Sequence, residues 1–237
     1  MLPQVMLSQP ITPTSSIAIG MVLFPNLTQL DFTGPYEVFS RLPNAKVYLL
    51  APTLAPIYSE SGLTLFANTS FQRSPTLDVL FVPGGLGVNA LLKDIEFLQF
   101  LKTQGDRARY VTSVCTGSLL LAAAGLLQGY RATTHWLSME LLATFGVETV
   151  AERVVIDRNR ITGGGITAGI DFGLVLAAEL FGETVAQEIQ LWMEYDPAPP
   201  FTSGSPQTAN PLVVESVRSQ NQRLLTTQGE LFNLGLH

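Results

Sequence analysis

From residue 16 onward the apolar and polar positions fall into two alternating kinds of run. Short, nearly unbroken apolar stretches occur at 16–24, 46–52, 77–85 and 109–114, with more polar strand-like runs at 131–136, 149–157 and 160–165. Between them lie segments with helical spacing at 35–42, 88–108, 116–129 and 137–146, followed by 170–182 and 183–195. Residues 58–71 alternate and carry turn residues, which predicts a hairpin or an edge excursion. Strands that are apolar throughout, alternating with helices, predict a mostly parallel sheet covered on both faces. Three of the predicted strands run into glycine-rich turns that open helices: "FVPGGLG", "TSVCTGS" and "ITGGGITAG". Ligands of such folds bind beyond the carboxyl ends of the strands, so all three turns are expected to face one crevice.

The 237 residues carry 46% hydrophobic and 14% charged side chains, enough to bury a sizeable core. A net charge of −6 argues against nucleic-acid and anionic-membrane partners. A single cysteine cannot form an internal disulfide, which fits a reducing, cytoplasmic compartment. The apolar run at 119–127 is about half the ~20 residues of a membrane span. The opening "MLPQVMLSQPITPTSS" lacks a basic n-region and a sustained apolar core, so 1–15 is expected to be a loose arm rather than a signal peptide. Residues 16–237 are expected to form one domain. Its Pro-rich excursion at 196–211 precedes an amphipathic stretch at 212–225.

Cys115 sits at the junction between a strand and a helix, with Ser113 and Gly117 two positions to either side. A nucleophile on a tight strand-to-helix turn needs small flanking residues, as in hydrolase elbows. There the free N–H groups and dipole of the helix would favour a thiolate and hold developing negative charge. A small buried cysteine with no chemical role fits the same spacing equally well.

Asp31 tips the balance. It lies between Leu30 and Phe32 in a stretch whose other charge is Glu37. Thr33 or Gly34 is expected to cap a helix that begins at Pro35, which leaves Asp31 surplus to capping. A carboxyl in apolar surroundings beside a thiolate is expected to have a raised pKa and to serve as general acid/base. His135, in "ATTHW", is read as structural ahead of a Cys–His dyad. No cluster has metal-ligand spacing, and "GGGITAG" lacks the Lys-Ser/Thr of a phosphate loop.

The segments "QLDFTGPYEV", "VPGGLGV", "ARYVTSVCTGSLLLAAAGLLQGYRATTHW", "ITGGGITAGIDF" and "EYDPAPPFTSGSP" resemble the ThiJ/PfpI superfamily, and within it the isonitrile-hydrating members. The resemblance runs from about Ile17 to about Pro206. It implies a flavodoxin-like three-layer α/β/α sandwich, class I glutamine-amidotransferase-like, assembled as a homodimer without cofactor. It also implies Cys115 as nucleophile, Asp31 as general acid/base and Thr116 as a site residue beside the thiol. Gly85 and the turn Gly164–Gly165–Ile166 would line the substrate pocket.

The implied reaction adds water to an isonitrile through a thioimidate on Cys115, giving an N-substituted formamide. Protease-like members carry His where this chain has Thr116, and glyoxalase or deglycase members carry Glu where it has Asp31. Regulatory relatives share "CTGS" and "ATTHW" but add a DNA-binding domain. A non-catalytic sensor with an oxidisable thiol is the rival from another class, and a glyoxalase or deglycase acting on dicarbonyls is a third reading.

Overall fold

The strands that carry the site are buried on both faces, and their composition explains why. Every residue of Val79–Val82 and Tyr110–Val114 is buried, as apolar runs between two helical layers require. The computed structural model describes residues 16–221, so the expected arm at 1–15 and the end of the 212–225 stretch lie outside the described residues. In chain order the first elements are β1 (Ile17–Val22), α1 (Gln29–Phe39), β2 (Ala45–Ala51), β3 (Ile57–Tyr58), β4 (Thr64–Leu65) and β5 (Thr69–Ser70). Next come β6 (Val79–Val82), α2 (Val88–Leu91), α3 (Ile95–Gly105), β7 (Tyr110–Val114), α4 (Gly117–Ala123) and β8 (Arg131–Ala132). The chain continues through α5 (Met139–Ala143), β9 (Glu148–Thr149), β10 (Val154–Asp157) and β11 (Arg160–Gly163). It closes with α6 (Ala168–Phe181), α7 (Glu183–Trp192) and α8 (Pro211–Gln220).

The main sheet has the order β10-β11-β7-β6-β1-β2-β5. Its pairs are parallel except β10–β11, a hairpin turned through Arg158 at φ 55°. This is the flavodoxin-like, mostly parallel architecture expected from the pattern. β6, β7 and β11 are neighbours and run in one direction, so their three glycine-rich turns emerge side by side at one edge. α1, α6 and α7 pack together, and α2 and α3 pack on α4. Phe39, Phe81 and Phe172 join α1, β6 and α6 through ring contacts of 5.5–6.1 Å. The 58–71 excursion divides between the β3–β4 hairpin and β5, which joins the sheet as an edge strand.

The helix expected at 35–42 begins earlier, at Gln29, with Thr28 as N-cap and Pro35 inside it. Proline costs a helix one backbone bond, here the one to the Asp31 carbonyl. Tertiary packing overrides that cost. Gly34 and Pro35 form the face that meets Ile170 and Gly169 of α6, and a Cβ on Gly169 would lie 3.0 Å from Pro35 Cδ. The segment 88–108 is two helices, because the Asp94 carboxylate caps the second by accepting from Phe97 N–H at 3.0 Å. α4 stops short of its expected end because Gly125 adopts φ 75°. The strand expected at 149–157 is split between β9, which pairs with β8, and β10.

Candidate active site

The turn after β7 places Cys115 at φ 56°, a left-handed conformation uncommon for any residue but glycine. The surrounding backbone holds it there. Cys115 N–H donates to both Gly163 O at 3.0 Å and Gly164 O at 2.9 Å. Its carbonyl accepts from Ser118 Oγ at 3.1 Å and from Thr134 Oγ1 at 3.0 Å. The turn closes because Gly117 lacks a side chain: a Cβ there would lie 2.2 Å from Val82 O. Ser113 is fully buried in β7. At Gly117 the small residue is thus a steric requirement.

Asp31 reaches this turn from the first turn of α1 and is fully buried. Its carboxylate does not cap the helix; Oδ2 accepts from Gly84 N–H at 3.2 Å. Oδ1 is buried without a hydrogen bond of good geometry, and the Cys115 thiol is the side chain that interacts with the carboxyl. Gly84 is what lets the groups meet. A Cβ there would lie 2.6 Å from Thr116 N and 2.9 Å from Asp31 Oδ2. Thr116 Oγ1 accepts from Gly85 N–H at 3.0 Å, so its hydroxyl proton can turn to the sulfur.

The electrostatics are those of a shared proton. Burial, opposed by the Cys115 and Gly84 hydrogen bonds, pushes Asp31 up to about 7. Burial and then the Asp31 carboxylate push the Cys115 thiol well above its ordinary value, against the pull of the Thr116 N–H and hydroxyl. This direction runs against the helix-stabilised thiolate expected from the sequence: burial and the Asp31 charge oppose the short helix α4 beside a carboxyl raised to about 7. The raised Asp31 agrees with expectation, but burial is its main cause and the Cys115 hydrogen bond lowers it, so the like charge expected from a neighbouring thiolate is not among the causes.

Gly164, Gly165 and Ile166 line an adjoining cavity of about 420 Å³ with His135, Trp136 and Arg153. Its far wall is the segment 204–207, and neither Cys115 nor Asp31 belongs to its lining. The Gly164 carbonyl, bonded to Cys115 N–H, joins the cavity to the turn. A family model described as the DJ-1/PfpI family matches residues 18–179. The chain belongs to the DJ-1/PfpI family.

Among individual DJ-1/PfpI proteins, the chain is 53% identical over 216 residues to the isonitrile hydratase of Pseudomonas putida, spanning 91% of this chain and 95% of that one. A crystal structure of a ThiJ/PfpI family protein from Pseudomonas syringae superposes with a TM-score of 0.89 at 45% identity, covering 91% and 90% of the two chains. Drosophila melanogaster DJ-1beta shares the fold, with a TM-score of 0.69 at 24% identity over 76% of this chain and 98% of that one. The transcriptional regulator GbdR of Pseudomonas aeruginosa is 29% identical over 187 residues, 76% of this chain but 51% of the regulator.

In this DJ-1/PfpI chain, Cys115, Asp31, Thr116 and Gly85 meet at one point, with the Gly164 carbonyl at its edge. Gly165 and Ile166 face the cavity instead, so the expected pocket residues divide into two groups. His135 is not bonded to the thiol. Its Nδ1 accepts from Leu137 N–H at 3.4 Å, its ring leaves room only for a glycine at 165, and burial holds its pKa below the ordinary value. Three contributors escaped the sequence reading. Gly84, rather than Gly85, touches Asp31; Thr134 holds the Cys115 carbonyl; and Glu60 acts on Asp31 from the hairpin. The first two lie within quoted motifs, whereas Glu60 carries no sequence signal. Among the described residues, no group of three or more His, Cys, Asp or Glu could hold a metal, and no helix is long and apolar enough to cross a membrane.

Proposed function

We propose that this protein hydrates an isonitrile, R–N≡C, to the N-substituted formamide R–NH–CHO, with Cys115 as nucleophile and Asp31 as acid/base. The similarity over more than nine tenths of both chains to the Pseudomonas putida isonitrile hydratase carries this reading. The buried thiol–carboxyl pair supplies the means. Asp31 takes the thiol proton as sulfur bonds to the isonitrile carbon, then delivers it to that carbon. The product is the thioimidate R–N=CH–S on Cys115. Thr116 N–H and hydroxyl steady the sulfur while it is charged. Asp31 next accepts a proton from water as the water adds to the thioimidate carbon, and passes it to the nitrogen. The proton of the resulting hydroxyl then goes through Asp31 to sulfur as the C–S bond breaks, which releases R–NH–CHO and re-forms the thiol. The balance needs no metal or organic cofactor.

Gly85, Gly164, Gly165 and Ile166 are assigned to holding the substrate, the last three through the cavity that would seat R. Residues 16–237 act as one unit in this reading, in a cytoplasmic homodimer. The sensor and the glyoxalase or deglycase readings are not favoured, because the relative that matches more than nine tenths of both chains is an isonitrile hydratase. The glutathione-independent glyoxalase DJR-1.2 of Caenorhabditis elegans is 27% identical over 54% of this chain. Purified protein should release formamide from at least one member of a panel of alkyl and aryl isonitriles and leave methylglyoxal unchanged. Methylglyoxal consumption with no formamide would replace the hydratase by a glyoxalase.

A further inference from the structure

Glu60 stands on the β3–β4 hairpin, outside every motif that pointed to the site. Its Oε1 accepts from Thr28 Oγ1 at 2.8 Å, and its Oε2 accepts from Leu86 N–H at 3.3 Å. Its own N–H donates to the Leu27 carbonyl at 3.1 Å. Thr28 is the N-cap of α1, the helix that carries Asp31, and Leu86 follows the glycine pair whose first member donates to Asp31. One exposed carboxylate therefore clamps together the two segments that hold Asp31.

From this placement we infer that Glu60 is a positioning residue for Asp31, fixing the start of α1 against the turn after β6. The ionisable groups that act on Asp31 are Cys115, from the β7–α4 turn, and Glu60. The turn after β6 contributes the Gly84 N–H, and α6 presents Gly169 and Ile170 to α1. Glu60 acts in the raising direction but is the smallest of the causes, as a water-screened charge should be. The inference rests on the proton shuttle proposed above, and Glu60 acts through the backbone it clamps and through its charge rather than by contact with substrate.

The test compares wild type with Glu60→Gln, which keeps an acceptor for the Thr28 hydroxyl but loses the charge, and with Glu60→Ala. Iodoacetamide labelling of Cys115 against pH, followed by intact-protein mass spectrometry, reads the thiol–carboxyl pair without any isonitrile. In Glu60→Gln the labelling midpoint should fall by roughly half a pH unit, the scale of a screened surface charge. High salt should shrink that difference. The alkaline limb of formamide formation should move the same way, with KM near the wild-type value. Glu60→Ala should show the same midpoint shift and a lower kcat. An unchanged labelling midpoint in folded Glu60→Gln overturns the inference, whether or not the wild type makes formamide. Absent formamide with a shifted midpoint overturns the hydratase reading alone.

Discussion

The two sides of the site are held by different means. On the Asp31–Cys115 side close backbone approach sets the reacting atoms: Gly84 and Gly117 leave no room for a Cβ, and Cys115 is pinned through its own N–H and carbonyl, with Glu60 as the one surface side chain that clamps this side. On the cavity side, side chains at the surface do the holding. Arg153 Nε donates to Asp171 Oδ2 at 2.6 Å, and Tyr195 OH donates to the same oxygen at 2.9 Å, with Arg153 half exposed. The first side tolerates almost no change, because displacing any atom displaces the reacting pair. The second can vary at little cost, as the proposed role of seating R requires.

Substitutions sharpen that contrast. The largest effect belongs to Cys115→Ser, which should remove all but a trace of turnover while circular dichroism stays unchanged, because a serine hydroxyl is far harder to ionise than a thiol. Activity above a few per cent in the folded variant would remove the nucleophile from Cys115. Gly84→Ala should come next. Its Cβ must push Thr116 and Asp31 apart, and a displacement of about 1 Å at a reacting group costs on the order of 100-fold in kcat. A variant that kept wild-type kcat would break the claim that backbone closeness holds the pair.

Asp31 also makes a prediction about stability. A carboxyl raised to about 7 in the folded state titrates near 3.9 when unfolded, so the folded state binds the extra proton between those values. The stabilisation is complete below pH ~3.9 and is lost as pH rises through about 7. Asp31→Asn cannot ionise. It should therefore melt higher than wild type at pH 8, with the advantage shrinking toward pH 5. Equal melting temperatures at both pH values would mean that burial imposes no strain on Asp31.

The smallest effect is expected at the rim. Arg153→Ala breaks an exposed ion pair worth about 0–1 kcal/mol. It should shift KM a few-fold among isonitriles of different R while kcat stays near wild type. A fall in kcat comparable to that of Gly84→Ala would erase the distinction between the two sides.

The same contrast explains what could be read from the chain. Buried strands and steric turns leave strong marks in sequence, so β6, β7, the Cys115 turn and the convergence of three glycine-rich turns were legible. Asp31 was conspicuous as a charge among apolar neighbours. The start of α1 was not legible, because Pro35 is a local stop signal that packing against Gly169 overrides. The break at Asp94 depended on one cap, and the upward shift of the thiol on burial, which no local pattern records. Glu60 was invisible because an exposed glutamate in a hairpin has no pattern; only the fold brings it to Thr28 and Leu86.

The most direct test of the shared-proton account is formamide production by wild type and Asp31→Asn at matched concentration, with circular dichroism as the folding control. Asn keeps the shape and one acceptor but cannot carry a proton. Turnover should fall by about 10²–10⁴-fold, the usual worth of a general acid/base. Where the water step suffers most, mass spectrometry should find an adduct on Cys115 heavier by one isonitrile. Equal rates in the two folded proteins would contradict the account.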